Sequence, residues 1–504
     1  MKMASHNLSH NAKLTCNMGE LVPVGHTLVI PGQKIRHQIT PFIRTQPLVT
    51  PVMHRAVCRT YSVYVPFRLI WSDFNKFITG GQDGLDATAH PTITFASGFV
   101  AGSLGNYLRM PVVGTSQTVS ALLFRAYAQA WNDLFRDKDL QTALTVNTGN
   151  GADATTSTLL QNACWEKDRF TSARPTPQKG TAVTIPLTGN APVRGLLASG
   201  PTQVVGGGAT LINDGGTSLA GIGGNSMSAA GSMWAASASA AGTAAATAYN
   251  AANSKVYADL STVGGVDANS LRLLMALQRF KENMSRFGSD IRSRYMAAFG
   301  IDYMDHTIQE AKLLGTGKQT IQFSEVLSTA ESGTKKVGDL QGHGISAGRS
   351  NRYNYTVPEF GVIINLMVVR PQTQYYQGIP RHMLYTTKED YFQPELQDLG
   401  QQAILNREVY AAHSAPGGVF GYQDRYDEYR RQENYVAGDF CTTLNSWHMG
   451  REFVSDPALN STFVSANPTT RIYAVTSADQ LLCYIDHDIK TVSRVKKYAN
   501  PILL

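Results

Sequence analysis

Lys34-Ile-Arg-His-Gln-Ile39 changes side-chain character at every step, so an extended backbone sends Ile35, His37 and Ile39 to one face and Lys34, Arg36 and Gln38 to the other. Val57, Arg59, Tyr61, Val63 and Val65 repeat the same period further on, and both stretches predict half-buried β-strands. Pro41, Pro47 and Pro51 punctuate the residues between them and favour an extended path over a helix. Late in the chain Tyr353 to Val369, Arg471 to Val475 and Gln480 to Ile489 are rich in Val, Ile, Tyr and Leu, bounded by Pro, Asn, Asp and Ser, and predict further strands. Helical spacing intervenes. Leu123, Tyr127, Trp131 and Leu134 mark one amphipathic helix, and Leu273, Leu277, Phe280, Met284, Phe287 and Ile291 another, which Asn269-Ser270 can cap. Strands from both chain ends, separated by helix-bearing excursions, do not fit a βαβ repeat; they fit an antiparallel barrel or sandwich with enlarged loops. No repeat with a solenoid or propeller period is present.

The 504 residues, 43% of them hydrophobic, suffice for one large core or a few ordinary domains. Charged residues are only 16%, which predicts that much of the surface is uncharged or covered by something else. The net charge of +7 permits nucleic acid without demanding it. Cys16, Cys58, Cys164, Cys441 and Cys483 are odd in number and form no Cys-x-x-Cys pair, which argues for small buried thiols in a reducing compartment rather than a disulfide framework or zinc site. Met1-Lys-Met-Ala-Ser-His-Asn7 lacks the apolar core of a signal peptide, and the longest apolar run, Gly361 to Val369, is broken by Asn365, so no membrane insertion is expected.

Local signatures of catalysis are few. Leu314-Gly-Thr-Gly-Lys-Gln319 lacks the first glycine and the hydroxyl of a phosphate-binding loop, and there is no His-Glu-x-x-His. In Asp486-His487-Asp488 a strand would let only the two carboxylates converge, a poor metal site. The sequence therefore points away from an enzyme, with no cofactor and no metal expected. Tyr422, Arg425, Tyr426, Tyr429, Arg430 and Arg431 interleave aromatic and basic groups as nucleic-acid surfaces do, yet Asp424, Asp427 and Glu428 among them favour Arg–carboxylate pairing within or between subunits. The second helix carries Arg272, Arg279, Lys281, Arg286, Arg292 and Arg294 with only Glu282 and Asp290 opposing, which fit a solvated face or one set against an acidic neighbour or DNA. Lys2 and Lys13 near one end, and Arg494, Lys496 and Lys497 near the other, are the candidate DNA contacts, unless they are simply solvated termini.

Four separated stretches, Tyr64-Val-Pro-Phe-Arg-Leu-Ile-Trp71, Phe124-Arg-Ala-Tyr-Ala-Gln-Ala-Trp-Asn-Asp-Leu-Phe-Arg136, Gly342-His-Gly-Ile-Ser346 and Gly421-Tyr-Gln-Asp-Arg-Tyr-Asp-Glu-Tyr-Arg430, occur in the order and wording of one family. The chain resembles the major capsid proteins of the microviruses (Microviridae), small tailless icosahedral phages with single-stranded DNA, from about Leu8 to Leu504 with a gap in the middle. The resemblance implies a mainly β fold, an eight-stranded antiparallel jelly roll of the viral capsid type with long helix-containing loop insertions, forming a single domain over residues 1–504. It implies an N-terminal arm (1–30), a C-terminal arm (490–504), and about 60 copies closing a T=1 shell through pentamers. It further implies a circular single-stranded DNA genome, other virion proteins, a host surface receptor, and residence in the virion after assembly in the host bacterial cytoplasm. A shell of about 60 such chains would carry roughly +420, well short of a genome of several thousand phosphates, so a small basic DNA-binding protein or other cations are expected. Candidate subunit contacts are Trp71, Phe74, Phe77, Trp131 and Phe135, each of which core packing would also explain, together with Tyr422, Arg425, Tyr426 and Tyr429.

The gap in the resemblance is a Gly/Ala/Ser-rich stretch, residues 195–265, without a charged residue between Asp214 and Lys255 and too poor in large apolar groups for a core of its own. It reads as a flexible linker or, as the resemblance implies, a surface insertion near a three-fold axis. The competing class is a lectin-like jelly-roll binding module, a non-viral β-sandwich acting as a monomer or small oligomer.

Overall fold

The alternation at Lys34 extends into a 12-residue strand in which Ile35, His37, Ile39 and Ile43 are buried and Lys34, Arg36 and Arg44 are exposed. It is one of ten strands of an antiparallel sheet: β1 (Ala4–Asn7), β2 (His10–Cys16), β3 (Val22–Val29), β4 (Lys34–Thr45), β5 (Ala56–Pro66), β6 (Lys312–Leu327), β7 (Leu340–Ala347), β8 (Ser350–Thr356), β9 (Gly361–Pro371) and β10 (Leu481–Ser493). This computed structural model describes residues 3–82, 85–181, 268–286, 309–327 and 340–497, with the backbone of six short strands between residues 193 and 258. The chain divides into two units, Met1–Lys179 with Glu282–Leu504, and Gly180–Lys281. The ten-stranded sheet belongs to the first. In the second, three short antiparallel pairs join Val193–Arg194 to Tyr257–Ala258, Thr202–Val204 to Leu211–Asn213, and Trp234–Ser237 to Ala245–Ala248. Whether residues 195–265 form a raised surface insertion concerns positions that lie mostly outside the described residues.

Within the first unit the neighbour order is β1 and β2, β10, β4, β7 and β8, β6, β5, β9, β3. The long strands change partners along their length: β6 pairs β5 from Lys312 to Ile321 and β7 from Gln322 to Leu327, and β4 pairs β8 near Lys34 and β7 near Arg44. These exchanges let one sheet curl so that Ile39, Ile43, Leu481, Cys483 and Ile485 of β4 and β10 pack against Ala56, Cys58, Met367 and Val369 of β5 and β9. The fold is mainly β, a curled antiparallel sheet with few helices, consistent with a capsid jelly roll. Pro41 sits inside β4 opposite the turn between Ala347 and Ser350, where the strand changes partners. Residues 4–29, expected to be an arm, include strands β1 to β3, and β2 and β10 lie side by side with Lys13 opposite Tyr484.

β5 was expected to be half-buried, but Val63 and Val65, with Val362, Ile364, Leu366 and Val368 of β9, pack under a helical layer that includes Phe67–Ile70, Phe74–Thr79 and Leu122–Ala130. β5 and β9 are therefore covered on both sides, and each large aliphatic side chain so buried contributes about 1.5–3 kcal/mol. The first predicted helix is present, but after Ala130 it opens into a π-helical turn, Trp131–Phe135, that keeps Trp131 buried and turns Leu134 outward. The second is Ala268–Arg286, with Leu273 and Leu277 exposed; its expected continuation to Ile291 lies outside the described residues. Arg471 to Val475 is not a strand. Ile472 and Tyr473 are buried, and Tyr473 makes only an isolated bridge to Leu48, so the apolar residues plug the core from a turn instead of pairing in a ladder.

The would-be phosphate loop is part of β6. Its Gly317 lies where any Cβ would come within 2.6 Å of the Asn351 amide nitrogen, so the glycine serves close backbone approach. Gly19 has a φ of +91°, and a Cβ there would run into the Ala466 carbonyl oxygen.

A polar chain crosses the interior between the two walls. Nε2 of His487 lies 3.1 Å from the Val24 carbonyl and so carries its proton there, leaving Nδ1 to accept from Nε2 of His37 at 3.0 Å. Nδ1 of His37 then accepts from the Tyr353 hydroxyl at 3.1 Å. Burial holds both imidazoles well below their usual range, His37 at about 3 and His487 at about 4. Beside them Ser62 donates to Asn365 at 2.7 Å and accepts from Asn351 at 3.0 Å. All five cysteines are free thiols; Cys16, Cys58 and Cys483 are buried, and Cys164 and Cys441 are half-buried.

Candidate assembly surface

The segment from Tyr375 to Tyr435 is built around another apolar cluster and carries several exposed aromatic groups. A hairpin of Gln401–Leu405 and Val419–Asp424 packs Ile404 and Phe420 against Phe170, Tyr375, Val409 and Phe463. Paired backbone hydrogen bonds of 2.8 Å between Arg174 and Tyr422 fix it to the preceding loop. The Arg451 guanidinium stands 4.0 Å from the centre of the Phe463 ring, with its nitrogens donating to the Tyr375 hydroxyl and the Phe463 carbonyl. Glu408 is buried and accepts from Arg169 at 2.5 Å and Arg381 at 2.8 Å, which ties the turn Arg381–Leu384 to the short helix Asn406–Val409.

After the hairpin the chain reverses at Tyr426, held in the left-handed region at φ 62°. Its ring is buried beside Phe392, and its hydroxyl accepts from the Gln393 amide and donates to the Glu389 carbonyl. The next carboxylates are engaged within the chain: one oxygen of the buried Asp427 pairs with Arg431 at 3.6 Å, and Glu428 accepts from the Tyr385 hydroxyl at 2.6 Å and Gln402 at 3.0 Å. Arg425 stacks over Tyr426 and donates to the Glu389 carbonyl. The basic and aromatic string is thus folded on itself, with Arg–carboxylate pairing inside the subunit. Beside the exposed Arg430 and Arg431 it leaves aromatic rings outside. Tyr429 is 56% exposed, Phe392 45% and Tyr391 57%, and Phe392 and Tyr429 touch through rings 6.1 Å apart. Next to them lies a cavity of about 780 Å³ lined by Arg381, Glu428, Arg430, Glu433 and Tyr435 among others. Burial there, with the carboxylates of Asp168 and Asp427, pushes Glu433 up to about 7.

The other predicted contact residues fall elsewhere. Trp71, Phe74 and Trp131 are buried in the subunit's own core, where Trp71 donates to Asn150 and Trp131 to the Asn162 carbonyl, and Phe135 packs edge-on against Tyr61. These four have little or no surface to offer a neighbour, because the helical layer over β5 and β9 already uses them. Phe77, against Trp71, is the exposed member at 39%. Tyr422 is half-buried and Tyr426 buried. Of the predicted DNA contacts, Lys13 projects from β2 and is exposed, Arg494 and Lys496 are exposed directly after β10, Lys497 follows them, and Lys2 lies outside the described residues. Asp486 and Asp488 point outward from β10 while His487 points in, and no group of three or more metal-binding side chains occurs among the described residues. The sequence reading missed Tyr391 and Phe392; the only available signal was adjacent aromatic residues in a stretch otherwise rich in turn and charged residues.

A curled antiparallel sheet that buries its own aromatics and displays others on a long loop defines a structural subunit of the jelly-roll type. The family model described as capsid protein (F protein) matches residues 1–503, and the chain belongs to that family. It is 32% identical to capsid protein VP1 of Bdellovibrio phage phiMH2K over 494 residues, covering 94% of this chain and 90% of the relative. It is 28% identical to capsid protein VP1 of Chlamydia phage 1, covering 99% and 96%, and 29% identical to that of Spiroplasma virus 4, covering 90% and 86%. The protein is therefore a phage major capsid protein, a component of the virion, and the lectin-like alternative is not favoured. No helix among the described residues is long and apolar enough to cross a membrane.

Proposed function

We propose that about 60 copies of this chain close a T=1 icosahedral shell around a circular single-stranded DNA, with pentamers as intermediates, in the cytoplasm of a bacterial host. The observation that carries this reading is the match to the capsid family along the whole chain. It is supported by the aromatic patch of Tyr391, Phe392 and Tyr429, which is left outside a subunit whose own core is complete. Heterologous contacts at such patches bury apolar area on each neighbour, and many modest contacts acting together make a closed particle durable. The chain is structural and not catalytic in this reading. It works with other virion proteins, including a small basic DNA-binding protein that supplies the charge the subunits lack, and its outer loops meet a host receptor.

Light scattering on the purified protein from infected cells tests the proposal. About 60 copies of a 54.7 kDa chain give a particle of roughly 3.3 MDa, and nuclease treatment should leave single-stranded DNA protected inside it. A stable monomer, or particles holding only double-stranded DNA, would contradict it.

A further inference from the structure

The outward face of the wall formed by β1, β2, β10, β4 and β8 is charged in a way that folding alone does not call for. Lys490 of β10 stands directly opposite Arg36 of β4, and like charges in facing positions weaken a sheet. Lys34 is two residues before Arg36 on the same face, and Arg352 of β8 faces Gln38, one row further. Lys13 and Arg44 add two more exposed cations toward the other end of the wall. No carboxylate pairs with any of these six among the described residues. Asp486 and Asp488 are the acids on the same strands, and Asp488 accepts from Ser9 at 3.3 Å. Six cations less two carboxylates leave this one face with a net +4, against +7 for the whole chain.

Aromatic rings lie in the same rows. Lys13, Tyr484 and Phe42 face one another across three strands, and Arg44 stacks over Phe42 at 5.7 Å. The edge of β2 borders a groove of about 1240 Å³ lined by Lys13, Phe42, Arg44, Tyr107, Arg109 and Tyr484, among others. The carboxylate in that groove, Asp479, is held by the Thr15 hydroxyl and by Nδ2 of Asn17 at 3.5 Å. Cations spaced along strands, with the exposed Tyr484 and the half-buried Phe42 between them, suit a flexible polyanion whose bases can stack, which single-stranded nucleic acid offers and a folded acidic protein does not.

We infer that this wall is the surface on which the subunit holds single-stranded DNA, with Lys34, Arg36, Arg352 and Lys490 on phosphates and Tyr484 and Phe42 as stacking platforms. The inference rests on the capsid reading and adds to it which face turns toward the genome. The test is a fourfold variant, Lys34→Gln, Arg36→Gln, Arg352→Gln and Lys490→Gln, in the full-length chain, binding an oligothymidylate probe across a salt series. Loss of four phosphate contacts lowers the slope of log affinity against log salt by about 2.8, whereas Arg55→Gln with Lys318→Gln, outside these rows, lowers it much less. Equal slopes in the wild type and the fourfold variant, or a loss of about 1.4 in the two-site control, as large per cation as in the fourfold variant, would overturn the inference. Ultraviolet cross-linking of intact wild-type particles needs no variant to fold: cross-linked peptides should come from β4 and β10, and cross-links confined to other segments would overturn it too. A wild-type chain that forms no particle yet binds the probe with the expected slope would instead remove the capsid reading and leave the surface standing.

Discussion

Acid should destabilise the subunit through the buried pair His37 and His487, and replacing both with glutamine should remove that sensitivity. Both imidazoles are enclosed, His37 is hydrogen-bonded to His487 and Tyr353, and His10 stacks on His487 with centroids 4.8 Å apart. Arg109, which reaches His10, adds a further cation that disfavours protonation of His487. In the folded chain the pair therefore stays neutral down to about 3 for His37 and about 4 for His487. In the unfolded chain both take up protons below about pH 6.5. The unfolded state then binds more protons, so stability is intact above that pH and falls as the pH drops toward 4. At pH 4.5 each withheld proton costs about 2.7 kcal/mol and the two together about 5 kcal/mol, comparable with the whole stability of many domains. Urea unfolding of dissociated subunits at pH 7 and pH 4.5 reads this directly. The wild type should lose about 5 kcal/mol more across that interval than His37→Gln/His487→Gln, whatever the variant's stability at pH 7. Equal losses would refute the reasoning, because the pH dependence would then come from groups common to both.

Arg125 and Asp153 form an ion pair of 2.8 Å with both side chains fully enclosed, so Arg125→Ala leaves a lone buried carboxylate and should lower subunit stability by about 3–5 kcal/mol in urea titrations. Tyr429→Ala should change subunit stability by less than about 0.5 kcal/mol while lowering the yield of closed particles, measured by sedimentation. Gly19→Ala, at a positive φ with a carbonyl in the way, should cost more than about 1 kcal/mol, seen as a lower melting temperature. Burial pushes the Cys58 thiol up, and Cys16 is raised through its contact with Cys483 at 4.0 Å and its burial. These two thiols, and Cys483 by its burial alone, should resist a thiol reagent in the native subunit and react once it is unfolded, as a colorimetric titration would show.

The strands that alternate were legible because one face meets the interior and the other meets solvent: β4 and β10 keep strict period along their length. β5 and β9 were recognisable as strands, but their second buried face was not, since a covered strand and a half-exposed one differ only in what packs over them. β1 and β2 carry Ser, Asn, Lys and Thr on their outer face and few large apolar groups, so they lack the alternation that marks β4 and β10 as strands. Arg471 to Val475 misled in the opposite way: β-branched and aromatic residues suit a strand, yet here Ile472 and Tyr473 fill the core from a turn. Aromatic residues gave the weakest guidance about contacts. Trp71 and Phe392 are equally apolar in the sequence, and only the tertiary arrangement tells the first, sealed under the helical layer, from the second, left outside it.

β10 lies between β2 and β4 and pairs with β4 from Leu481 opposite Thr45 to Val492 opposite Lys34. Its residues leave the ribosome roughly 440 positions after those of β4, which at bacterial elongation rates is a delay of about 20 to 90 seconds. For that time the nascent chain lacks the strand that pairs along the β4 border, and Ile39 and Ile43 lack their in-sheet neighbours on β10. Slotting of the late strand into place is thus the event that commits each copy to its finished shape, and growth temperature or chaperone supply would act most strongly during that wait.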